Sequence, residues 1–150
     1  MSDIKSKEER SRNMSAIKSK NTKPEVYFRK LLFAKGYRYS LHSKNIPGHP
    51  DLWMKKYNVA IYIHGCFWHR HEGCKYAYIP KSRLEFWNDK FLRNQNRDKE
   101  VLGELSTRKI RCLIIWECTI KNMKKRNGNE SEVLSIVDGF LKSDTDYLEL

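Results

Sequence analysis

No stretch of this 150-residue chain approaches the ~20 consecutive apolar residues of a membrane-spanning helix, which argues against a membrane protein. The opening residues, MSDIKSKEERSR, contain no apolar segment and do not read as a secretory signal, so the expected compartment is the cytoplasm. Cysteine is scarce, with four in the whole chain. In a reducing compartment so few thiols do not build a disulfide framework, which leaves metal ligation or burial as their use. Internal repeats, low-complexity tracts and Pro/Gly linkers are also missing, so nothing divides a chain long enough to bury one core. The expected organisation is a basic arm or short helix over 1–20 and a single domain over 21–150. The 130–150 end is an acidic helix and tail.

Acidic residues are the next shortage. The overall charge is +12, yet residues 130–150 carry −5, so the first 129 residues carry +17. Such a field suits a polyanion, because each Lys or Arg that meets a phosphate releases counterions. Charge alone does not separate nucleic-acid binding from an ordinary solvated surface.

What the chain does contain is periodic. Thr22 followed by Glu25 has the spacing of a capping box, and Gly36 supplies a stop, so the segment between them reads as a helix. YRYSLH (37–42) alternates like a strand. Residues 47–65 read as two strands joined at Tyr57–Asn58, a register that sets Asp51 opposite His64. A long helical pattern runs over 83–107, and IRCLIIWEC (110–118) is a buried strand. A last helix covers 130–142. Interleaved strands and helices indicate an α/β fold with a small mixed sheet flanked by helices.

The stretch HGCFWHRHEGC, residues 64–74, holds three of the five histidines and two of the four cysteines. Cys66, His71 and Cys74 lie close in sequence, and Cys118 at the far end of the buried strand can return to them through space. Three thiolates and one imidazole form a closed tetrahedral set that suits structural Zn²⁺. On spacing alone His69 could replace His71. Cys112 lies inside the strand and is assigned to the core.

Asp51 follows proline at a strand start, the first half of a nuclease pattern in which a carboxylate holds Mg²⁺ against a scissile phosphate. The usual second half, Glu/Asp-x-Lys, is lacking, and residues 61–64 read IYIH. His64 and His69 are therefore the candidates for proton transfer, with Glu25 as an orienting partner. Phe67 and Trp68, adjacent in a loop, are not expected to point into the same core, and such rings can wedge between base steps. Trp87, on an apolar helix face, reads by itself as part of a local hydrophobic cluster.

NMSAIKSKNTKPE, PGHPD, HGCFWHRHEGC, KSRLEFWNDKFLRNQNRD and LIIWEC together resemble the very-short-patch repair (Vsr) mismatch endonucleases, in order from about residue 11 to 120. The resemblance implies a restriction-endonuclease-like core with a structural zinc site and Mg²⁺-dependent nicking of one strand, 5′ of the thymine in a T·G mismatch left by deaminated 5-methylcytosine. It implies Asp51 as the metal-binding carboxylate, with the main-chain carbonyl of Ile63 beside it. His64 and Glu25 correspond to groups that organise metal-bound water, and His69 to the general acid/base. Cys66, His71, Cys74 and Cys118 correspond to the zinc ligands, and Phe67, Trp68 and Trp87 to intercalating rings. Lys90 and Asn94 correspond to readers of the mispaired bases, and Met14 to an arm that closes on DNA. Ile63 replaces a threonine, and Gly73 lengthens the loop. The expected partner is double-stranded DNA with a T·G mismatch. Other mismatch-repair proteins are candidate partners, and the chain is expected to be a monomer. The competing expectations are a restriction-type endonuclease of the same fold and a zinc-braced DNA-binding protein without catalysis.

Overall fold

The computed structural model describes residues 20–150, so Met14 and nearly all of the N-terminal arm lie outside the described residues. Helix α1 (Lys23–Ala34) starts as its capping residues dictate. The Thr22 hydroxyl accepts from Glu25 N at 3.3 Å, and Glu25 Oε1 accepts from Asn21 N at 3.0 Å. Glu25, Phe28 and Leu32 recur at i, i+3 and i+7 and form its buried face. The helix therefore carries a carboxylate inward on an apolar stripe.

Five strands follow in the spatial order of the sequence: β1 (Ser40–Leu41), β2 (Leu52–Met54), β3 (Val59–His64), β4 (Arg111–Trp116) and β5 (Tyr147–Glu149). The first three pair antiparallel, and β3–β4 and β4–β5 pair parallel. A parallel pair needs a long crossover. Between β3 and β4 it is the cysteine-histidine loop and helix α2 (Leu84–Thr107). Between β4 and β5 it is α3 (Glu117–Lys124) and α4 (Glu130–Lys142).

Period-2 alternation divides the interior into two layers. Val59, Ile61, Leu113 and Ile115 face a core built with Phe28, Leu32, Ile120 and Val137 from α1, α3 and α4. Ala60, Tyr62, Cys112, Ile114 and Trp116 face Leu105 of α2 and Cys66 of the loop. Helices cover both faces of a mixed sheet, as expected.

Several local expectations need correction. The β2–β3 connection is a 3₁₀ turn over Lys55–Tyr57 followed by Asn58 in the left-handed region (φ 56°), not a two-residue loop. Two extra loop residues move the register by two: Leu52 pairs with Ile61 and Met54 with Val59. Asp51 thus falls opposite Tyr62 rather than His64. Only Ser40–Leu41 of the 37–42 segment joins the sheet, because β2 offers this edge strand so short a partner. The strand over 110–118 ends at Trp116, and Cys118 lies in the first turn of α3, a helix its short sequence did not advertise. The acidic end is more than helix and tail, since Tyr147–Glu149 adds the fifth strand.

Ile115 is fully buried against the α1/α3/α4 layer. Ile115→Ala is expected to cost about 3 kcal/mol, read as a lower urea midpoint at unchanged slope. A loss under about 1 kcal/mol would mean that this layer is loosely packed.

Candidate functional site

A cleft of about 530 Å³ opens where β2 begins and β3 finishes, lined among others by His42, Asp51, His64, His69, Arg97 and Asp98. Its wall is closely fitted. Gly48, in the PGHPD turn, has φ +73°, and a Cβ there would come within 2.9 Å of Val101 on α2. Asp51 Oδ2 accepts from the Ile63 amide at 2.7 Å. Burial pushes the Asp51 carboxyl up to about 7; the Ile63 amide opposes this, and the charge of nearby Glu25 adds to it. Glu25 is 1% exposed and is bonded by Arg29 Nη1, Asn21 N and His42 Nε2. Two acidic groups are thus held together away from water, an arrangement that a divalent cation relieves. Glu25, His42 and Asp51 each offer a ligand atom, all within 4.8 Å of one another.

Across the cleft, His64 and His69 stack flat, with ring centroids 3.8 Å apart and planes 4° apart. Burial pushes His64 down to about 3, helped by the charge of His69, so its imidazole is neutral at physiological pH. Its Nδ1 is buried without a hydrogen-bond partner among the described residues. His69 differs. Its Nδ1 lies 2.7 Å from Asp98 Oδ2, and since a carboxylate only accepts, Nδ1 donates and Nε2 is left to exchange a proton.

Next to the imidazoles, Cys66, His71, Cys74 and Cys118 bring their ligand atoms within 4.8 Å of one another. Cys118 Sγ lies 3.4 Å from His71 Nδ1, and the Cys118 amide donates to Cys66 Sγ at 3.4 Å. Burial pushes the Cys66 thiol up to about 12 and also raises Cys118. An ion is what would let these thiols ionise, and three sulfurs with one nitrogen suit a tetrahedral ion such as Zn²⁺. Gly73 turns the loop with φ +72°, a conformation that suits glycine. Trp116 links the two groups of side chains. His71 stacks on it at 4.1 Å, and His64 meets it edge-on at 5.2 Å.

Beyond the loop, Phe67, Trp68 and Trp87 form one aromatic group, with centroid separations of 5.2, 5.6 and 5.7 Å. The adjacent pair thus meets in a half-buried cluster at the surface and not in the buried core. Lys90 Nζ sits 4.8 Å from the Trp68 ring, and Asn94 Nδ2 donates to the Trp68 carbonyl at 3.3 Å.

Known proteins are similar to this chain over most of its length. The family model for the DNA mismatch endonuclease Vsr matches residues 2–75. The type II nicking enzyme V.XorIIP of Xanthomonas oryzae pv. oryzae is 39% identical over 138 residues, which cover 92% of this chain and 98% of that protein. The chain belongs to the Vsr family. The type II nicking enzyme V.NmeAIP of Neisseria meningitidis is 43% identical over 122 residues, 81% of this chain and 86% of that one. The DNA mismatch endonuclease Vsr of Escherichia coli is 36% identical over 125 residues, 83% and 80%. Membership makes this protein a DNA endonuclease, so the reading as a non-catalytic DNA-binding protein is set aside. Among the described residues no helix is long and apolar enough to cross a membrane.

The fold brings Asp51, His64 and His69 into one cleft, with Glu25 beside Asp51 and the four expected zinc donors together. Ile63 meets Asp51 through its amide. Sequence reasoning missed three participants. Asp98 was visible only as one more acid on a charged helix. His42 ends a segment read as a plain strand, and Trp116 looked like core.

Two outcomes follow from these environments. A filled four-donor cluster contributes to folding, so chelator-stripped protein is expected to melt well below metal-loaded protein by circular dichroism; identical melting would exclude a structural ion. Asp51, raised by burial, favours the fold below its unfolded value, and that contribution is lost as pH rises through about 7. Metal-free Asp51→Asn is therefore expected to melt above the parent at pH 8, with the gap closing by pH 4. A gap independent of pH would show that the carboxyl is not held up by its surroundings.

Proposed function

We propose that this endonuclease nicks one strand of duplex DNA 5′ of the thymine in a T·G mismatch, of the kind left by deaminated 5-methylcytosine. The observation that carries this reading is the adjacency of a cleft containing a buried carboxylate and paired imidazoles to a half-buried group of aromatic rings. Cleavage needs the first. A preference for weakly stacked, mispaired bases needs the second.

Asp51, with the Ile63 carbonyl, is the proposed holder of Mg²⁺. The bound ion supplies positive charge to the scissile phosphate, polarising it for attack by water. Around it the side chains divide the work. Glu25 adds a second carboxylate beside Asp51 that orients water at the site. His69, oriented by Asp98, moves a proton at Nε2, and neutral His64 keeps the stacked pair from carrying two positive charges. Zn²⁺ held by Cys66, His71, Cys74 and Cys118 braces the loop that carries His69.

Phe67, Trp68 and Trp87 enter the stack beside the mismatch, exchanging ring–ring contacts for ring–base contacts. Unstacking costs a few kcal/mol per step in a paired duplex and less at a mispair. Lys90 and Asn94, one helical turn apart and both against Trp68, then reach the exposed base edges. Met14 is assigned to an arm that closes on the DNA.

A second reading is that the enzyme cuts a fixed, correctly paired site. It is favoured by the description of several relatives, V.XorIIP and V.NmeAIP among them, as type II nicking enzymes. A labelled T·G duplex incubated with protein and Mg²⁺ is expected to be nicked, and a T·A duplex of the same sequence is not. Equal cutting of both favours the second reading. Asp51→Ala is expected to bind the T·G duplex and lower the nicking rate at least 10³-fold, on the order of the electrostatic contribution of a fixed charge at a reacting phosphate. Persistent nicking would remove Asp51 from the mechanism.

A further inference from the structure

We propose that His42 is a direct ligand of the divalent cation in the Asp51 cleft, giving it a mixed nitrogen–oxygen donor set that raises affinity for Mn²⁺ relative to Mg²⁺. This rests on the reading of Asp51 as the cation site, and deepens it. His42 lies one residue past β1, where its amide donates to the Asp51 carbonyl at 3.2 Å. The strand ladder thus ties the two residues together through the main chain. His42 has φ 50°, a left-handed conformation uncommon for a residue with a side chain, and it lines the same cleft as Asp51.

Its ring nitrogen is shared between the two oxygens of one carboxylate. Nε2 lies 3.1 Å from both oxygens of Glu25, equidistant rather than aligned with one lone pair. Glu25 does not need it for satisfaction, since Arg29 Nη1 already bonds one oxygen and the Asn21 amide the other. Neighbouring ligands of an octahedral ion with bonds of about 2.1 Å stand about 3.0 Å apart. The spacing of His42 from Glu25 therefore also suits two ligands sharing an ion, and Asp51 offers a third atom within 4.8 Å of both.

The consequence is chemical. Mg²⁺ takes carboxylate, carbonyl and water oxygens and gains little from imidazole, whereas the transition ions accept nitrogen readily. Mg²⁺ still binds through the oxygens, but Mn²⁺ gains an extra bond from His42. The side chain is 13% exposed, so one edge of the ring can face an ion while the other remains near solvent.

The test is Mn²⁺ binding to the full chain with Zn²⁺ in its cysteine cluster, where Zn²⁺ is silent in electron paramagnetic resonance. Pulsed spectra of the parent protein are expected to show a directly coordinated ¹⁴N that disappears in His42→Gln. The amide oxygen of glutamine preserves a hard donor, so Mg²⁺ affinity is expected to change little while the Mn²⁺/Mg²⁺ affinity ratio falls on the order of tenfold. Bound Mn²⁺ without nitrogen coupling in the parent, or coupling that persists in His42→Gln, overturns the proposal while leaving Asp51 in place. Mn²⁺ bound by Asp51→Ala at parental affinity removes the cation site on which both readings depend. The parent spectrum needs no variant, so the proposal stays testable if His42→Gln folds poorly.

Discussion

Parallel pairing of β3 with β4 is the constraint from which the site follows. Its register sets His64 against Trp116. Each strand then continues by two residues to a cysteine, Cys66 on one side and Cys118 on the other, so the ladder itself delivers the two thiols to one place. His71 and Cys74 fold back onto them through the turns of the loop. Once the loop is clamped at that corner, His69 has little choice but to lie over His64, and Phe67 and Trp68 are presented at the surface. The four-donor cluster and the stacked imidazoles meet in Trp116, whose ring touches an imidazole of each.

Function is bought here with local instability. A carboxylate raised by burial, a neutral histidine whose Nδ1 has no hydrogen-bond partner among the described residues and a second buried carboxylate, Glu25, all disfavour the isolated fold. They sit at one end of the sheet, away from the apolar layer of Ile61, Leu113 and Ile115 that stabilises it. α1 shows how the two demands coexist, since Phe28 and Leu32 supply the burial that carries Glu25 into place. The +17 charge of the first 129 residues then draws a polyanion towards a cleft that is itself rich in acids. A cation held by Glu25, His42 and Asp51 would resolve that conflict at the point of contact.

Much of this was legible along the chain because its signals are local. Cysteine and histidine at short spacing, a proline-aspartate at a strand start, two rings side by side and the Thr22/Glu25 cap each depend on a few neighbouring residues. The register of the β2–β3 hairpin was not legible, because a 3₁₀ turn with a left-handed Asn58 has no stronger sequence signature than a two-residue turn. Asp98 was hidden for another reason. It lies 29 residues from His69, and nothing in a polar helix marks which acid will find an imidazole. β5 escaped notice because three residues of alternating exposure are too few to form a pattern.

The sequence alone determined the class of the fold, the donor atoms available to metals and the sign of the field, since all are properties of composition and short-range periodicity. Only the tertiary structure decided which groups face one another: Asp51 with Glu25 and His42, His64 with His69 and Asp98, and Trp68 with Lys90 and Asn94. Those meetings depend on strand register and helix placement, which are set by the packing of residues far apart in the chain.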